Sequence, residues 1–64
     1  MRQWLVDLRK QKKLSQADVA KAVHISQPSY YNIEKGRNNP RPATAKKIAD
    51  YIGCDWTAFF EVKE

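Results

Sequence analysis

A chain of 64 residues makes one domain at most, and at this length only about 60% of the unfolded surface is buried on folding. One cysteine, Cys54, and one histidine, His24, exclude an internal disulfide and fall short of a tetrahedral zinc site. The formal charge of +5, from 12 Lys plus Arg against 7 Asp plus Glu, favours polyanions, nucleic acid before acidic membrane.

Segment one runs from about Arg2 to Lys12. Trp4, Leu5 and Leu8 recur at helical spacing among charges. Lys10, Lys12 and Lys13 sit near its C-terminus, where cations suit the helix dipole. Segment two opens at Ser15: an N-cap serine with Asp18 three residues on is a variant of the capping box. Val19, Ala20 and Val23 form its inward stripe. Segment three opens near Ser26, a good N-cap, and ends at Gly36, a natural left-handed terminator. Pro28 falls in its first turn, where the missing N–H costs no helical bond. Pro28 also disfavours α conformation at Gln27, leaving open a start at Gln27 or one residue later.

Residues 37–42, rich in proline and asparagine, predict a loop. Segment four starts at Pro42, and Ala45, Ile48, Ala49 and Ile52 give the cleanest amphipathic pattern in the chain. Gly53 ends it. Segment five opens on Asp55 as N-cap and carries Trp56, Phe59 and Phe60. Nothing alternates as a strand does. The expected fold is an all-α compact five-helix bundle.

Segments two and three are separated by little more than Val23, His24 and Ile25, and so short a turn forces a steep crossing. Ala20 permits close approach and Ile25 plugs the turn. Setting Gln27 at zero and stepping by roughly 100° per residue divides segment three into two arcs. Ser29, Tyr30 and Ile33 point inward; Gln27, Pro28, Tyr31, Asn32 and Lys35 point outward. Gln and Asn pair bidentately with adenine, and an apolar ring packs on a thymine methyl. Ten of the basic residues form two groups: Arg2, Arg9, Lys10, Lys12 and Lys13, then Lys35, Arg37, Arg41, Lys46 and Lys47. The second follows this outward arc directly.

The run from Ser15-Gln16 through Val19-Ala20, Val23, Ile25-Ser26 and Tyr30 to Ile33-Glu34-Lys35-Gly36 resembles the Cro and phage-repressor (Xre-like) helix-turn-helix family. Leu8-Arg9 before it, and Ile48-Ala49, Ile52-Gly53-Cys54 and Phe59-Phe60 after it, fit the same pattern. The resemblance covers roughly residues 4 to 60, with the motif at 15–34. It implies a lambda-repressor-like fold and sequence-specific binding of double-stranded DNA. It also implies base contacts from Gln27, Pro28 and Asn32, with Tyr31 reaching a base or, through its hydroxyl, a phosphate. Gln16, Ser26, Lys35, Arg37, Asn38, Arg41 and Thr44 are the implied phosphate contacts, helped by N–H groups at the start of segment four. Arg9 and Glu34 match a structural ion pair. His24 stands where the family often has Gly, at a turn position that wants positive φ; His is enriched at such angles.

These residues predict one DNA-binding domain over 1–64: a transcriptional regulator, repressor-like, on a palindromic operator. One recognition helix reads few base pairs, so a homodimer is expected. Trp56 and Phe60, with Val62 and with Trp4 or Tyr51 nearby, are the candidate dimer surface; alternatively Trp4, Phe59 and Trp56 complete the core. The alternative function is an antitoxin-like or adaptor module in which DNA binding is secondary. Catalysis is not expected, because His24 has no acidic pair or phosphate loop beside it, and Cys54 is expected as a small core hydrophobe. No cofactor or metal is implied. The absence of a signal-like N-terminus or a long apolar run points to the cytoplasm and the nucleoid.

Overall fold

The computed structural model describes residues 1–60. Four α-helices follow in order: α1 (Gln3–Gln11), α2 (Gln16–Ala22), α3 (Gln27–Lys35) and α4 (Pro42–Ile52). A 3-10 helix, Trp56–Phe60, closes the described chain, and no strand forms among the described residues. No helix among them is long and apolar enough to cross a membrane.

Local chemistry sets the helix ends. Ser15 Oγ accepts the Asp18 N–H at 3.0 Å while the Asp18 carboxylate accepts the Ser15 N–H at 2.9 Å, a complete capping box. Ser26 Oγ accepts the Ser29 N–H at 3.2 Å. α3 starts at Gln27 despite the following proline, because that cap already holds the first turn. At its far end Gly36 adopts φ 78. The Arg37 and Gly36 N–H groups then bond back to Asn32 O at 3.0 Å and Ile33 O at 3.2 Å, the pairing of a Schellman end.

The fifth expected α-helix is corrected to a 3-10 helix. Asp55 Oδ1 accepts both the Thr57 N–H at 3.0 Å and the Thr57 hydroxyl at 2.8 Å. Ala58 N–H then bonds Asp55 O at 3.0 Å, an i→i+3 link. Five residues rich in aromatics are too few to nucleate an α-helix, and the tighter turn serves short pieces.

The core unites all the elements. Leu5, Val19, Ala20, Val23, Tyr30, Ile33, Ala45, Ile48, Ile52 and Phe59 form one buried cluster, with Trp4, Leu8, Leu14, Ile25 and Trp56 packed on it. Leu5, Ile48 and Ile52 are fully buried, each stabilising by about 1.5–3 kcal/mol. Trp4 meets Phe59 edge-on at 5.1 Å between ring centroids, so α1 and the 3-10 helix close the same side. Cys54 is half-buried, and burial pushes its thiol pKa up, aided by Asp55.

Candidate nucleic-acid interface

The turn between α2 and α3 is short because His24 reverses the chain at φ 61. Ile25 N–H then bonds Ala20 O at 3.0 Å. Ala20 is buried where α2 meets α3, and Ile25 is half-buried against the core. These two residues do what their sizes suggest: one admits the partner helix, the other seals the corner.

The crossing divides the surface of α3. Tyr30, Ile33 and Glu34 are buried. Gln27, Pro28 and Tyr31 are exposed, while Asn32 and Lys35 are half-buried. Ser29, expected on the inward arc, is exposed instead. It lies in the first turn, where its hydroxyl accepts from Ser26 Oγ at 2.8 Å and stays at the surface with the cap. Gln16, Gln27, Pro28 and Tyr31 line one shallow open depression between the start of α2 and the exposed face of α3. The Lys35 ammonium lies 5.3 Å from the Tyr31 ring centroid, a cation–π contact that orients both side chains.

Behind this surface is a polar cluster. Arg9 Nε donates to Glu34 Oε2 at 2.6 Å, with both side chains largely out of water. A second Arg9 nitrogen donates to Leu14 O at 2.8 Å, tying α1 to the start of the motif. Gln16 Nε2 donates to Glu34 Oε1 at 3.0 Å. One amide hydrogen of Gln16 is therefore directed inward, and the rest of that amide is left for a partner. Burial pushes the Glu34 carboxyl up, but the Arg9, Tyr30 and Gln16 side chains outweigh it and hold it below its ordinary range. The hydrogen bond to Glu34 raises the Arg9 pKa against the effect of burial. The Tyr30 hydroxyl is buried beside the pair with no well-formed hydrogen bond. Burial, with Glu34 close by, pushes its pKa far above the usual phenol range.

Past α3, Arg37, Asn38 and Arg41 are exposed, Pro40 is buried and Thr44 is half-buried. The Arg37 and Asn38 N–H groups share Asn32 O, at 3.0 and 3.4 Å. Arg41 occupies the N-cap of α4, and no side chain caps that helix. Its first-turn N–H groups are therefore open to an anion.

The first basic group does not form one patch. Arg9 is internal, and so is most of Arg2. The Arg2 guanidinium donates to Ile33 O at 2.6 Å, Asn38 O at 3.1 Å and Phe59 O at 3.3 Å, and to the Asn39 side-chain oxygen. The Lys12 ammonium reaches the Gly53 end of α4, where a helix C-terminus favours a cation. In the sequence Arg2 is marked only by its charge; no local pattern signals contacts made 31 to 57 residues away. At the other end, Trp56 is half-buried, with Lys46 Nζ 4.9 Å from its ring centroid. Phe60 packs edge-on to Trp56 at 5.9 Å and remains 40% exposed. Val62 lies outside the described residues.

Comparison with known proteins agrees with this geometry. A helix-turn-helix family model matches residues 5–59. The chain is 44% identical over 61 residues to YqaF of Bacillus subtilis (strain 168), an uncharacterized HTH-type transcriptional regulator. That match covers 95% of this chain and 80% of the relative. It is 34% identical over 47 residues to the cryptic phage CTXphi transcriptional repressor RstR of Vibrio cholerae, covering 73% of this chain and 42% of that protein. No solved structure matches. With the α2–turn–α3 unit in place and the family pattern spanning nearly every helix, the chain belongs to the Xre and Cro type of helix-turn-helix proteins.

Proposed function

We propose that the protein is a sequence-specific reader of double-stranded DNA that regulates transcription, acting as a repressor on a palindromic operator, with residues 1–64 as one binding unit in the cytoplasm. The observation that carries this is the divided surface of α3. Its fixed face is buried, while Gln27, Pro28 and Tyr31 stand exposed beside Gln16, with Arg37 and Arg41 exposed in the loop that follows. Gln27 and Asn32 hydrogen-bond base edges, Pro28 supplies apolar contact, and Tyr31 completes that surface. Gln16, Ser26, Lys35, Arg37, Asn38, Arg41 and Thr44 hold phosphates, together with the uncapped N-terminus of α4. The regulator and repressor named among the relatives support the same reading.

Two copies are needed to read a two-fold operator, and the C-terminal aromatics supply the contact. Trp56 is already covered in part by Lys46 and the core, so Phe60 is the freer contributor. Titration with salt tests the DNA reading. The log–log slope of affinity against salt is expected near −0.9 per neutralised phosphate. Arg37→Ala lowers affinity for all sequences alike and makes the slope shallower by about 1. A flat salt dependence overturns the proposal. Selection from a random DNA pool is expected to return palindromes, and sedimentation of a strict monomer on such a site rules out the dimer.

A further inference from the structure

Arg2 stands before the first helix, far in sequence from every residue it bonds. Its backbone N–H donates to Glu34 O at 2.7 Å. Its guanidinium joins the last turn of α3 through Ile33 O, the following loop through Asn38 O and the Asn39 side chain, and the 3-10 helix through Phe59 O. The same group lies 5.7 Å from the Phe59 ring centroid. Only a planar fork of donors serves so many acceptors from one position. Two consequences follow for the loop. Its oxygens are drawn inward, and Arg37, Asn38 and Arg41 are left exposed. The partial negative charge at the C-terminus of α3, which would otherwise face phosphate, is also neutralised from behind.

We infer that Arg2 is a positioning residue for DNA binding: it fixes the 37–41 loop against α3 and the 3-10 helix so that Arg37 and Arg41 meet the sugar-phosphate backbone. This rests on the DNA-binding reading above. Burial lowers the Arg2 pKa, in keeping with a cation turned inward rather than toward a phosphate.

Two measurements on the full chain test it. In the free protein, Arg2→Ala is expected to speed amide exchange at Arg37 and Asn38, whose N–H groups bond Asn32 O, by about tenfold or more, while Ile48 and Ile52 stay protected. On DNA, Arg37→Ala is expected to lose at least about threefold less affinity in the Arg2→Ala background than in the native one. Arg2→Lys keeps the charge without the fork and should behave as Arg2→Ala does. Asn39→Ala removes a single acceptor and should give a smaller rise in loop exchange should Arg2→Ala fail to fold. Unchanged loop exchange in the variants overturns the inference. Additive losses from Arg2 and Arg37, or full rescue by lysine, overturn it too, since either means that Arg2 acts as charge alone. An Arg37→Ala variant that binds DNA normally removes the DNA role of the loop, while raised exchange still upholds Arg2 as its anchor.

Discussion

At its N-terminal end α3 presents Gln27, Pro28 and Tyr31 to solvent, and a single serine cap holds the turn beneath them. At its C-terminal end Glu34 accepts from Arg9 and Gln16, the Ile33 carbonyl accepts from Arg2, and Gly36 turns the chain. The same helix is thus fastened at one end and open at the other. The long-range polar bonds of α3 gather where α1 and the N-terminal segment reach its C-terminal end, and Gln27, Pro28 and Tyr31 take no part in them. Changes to the exposed side chains of Gln27, Pro28 and Tyr31 are expected to loosen the fold less than changes to the buried Arg9, Tyr30 and Glu34.

The largest test of this contrast is Glu34→Ala. It leaves the Arg9 charge buried without its partner and is expected to cost about 3 kcal/mol in thermal or urea unfolding, a large share of the stability of a chain this small. A loss below about 1 kcal/mol would mean that the fastened end lies elsewhere. Acid probes the same pair. The Glu34 carboxyl is held below its ordinary value of 4.5 in the folded state, so the unfolded chain binds the proton first. That stabilisation is complete above the ordinary value and is lost as pH falls through the folded-state value. Glu34→Gln is expected to flatten part of this acid limb. Asp18 and Asp55, held low by hydrogen bonds from Ser15 and Thr57, add to the same limb.

On the outward side of α3, Gln27→Ala and Asn32→Ala are each expected to lose about 1–3 kcal/mol of binding on the preferred site and to relax its sequence. Unfolding stability should move by no more than about 0.5 kcal/mol. Equal weakening on every sequence would remove the division between reading and holding. The smallest effect belongs to the corner between the two helices. His24 is exposed and sits at φ 61, so His24→Gly relieves backbone strain and should raise stability by up to about 1 kcal/mol, read as a higher Tm.

Much of the frame was legible in the chain because its signals are local. The pairing of Ser15 with Asp18, the serine at 26 before Pro28, and glycine at 36 and 53 each act within a few residues of where they stand. The Ala45–Ile48–Ala49–Ile52 stripe names its own buried face. The 3-10 geometry after Asp55 is not legible, because five residues carry too little periodicity to separate two kinds of helix. Ser29 was misplaced because its angle lies at the edge of the inward arc, and its bond to Ser26 decides the side. Arg2 was the larger omission. Its acceptors are mostly backbone oxygens, which every residue has, so no residue type elsewhere in the chain signals the partnership. Around α3, the exposure of Gln27, Pro28 and Tyr31 follows from helical angle, whereas the fastening behind them depends on how distant segments meet.

The chain has two tryptophans, and both belong to the closing side of the molecule: Trp4 against Phe59, Trp56 against Phe60 and beneath Lys46. The aromatics of α3 are tyrosines, Tyr30 and Tyr31. Indole emission therefore reports on the docking of the 3-10 helix, and α3 is silent in it. A shift in that emission when DNA is added would be a signal carried across the domain to the surface where a second copy is proposed to join.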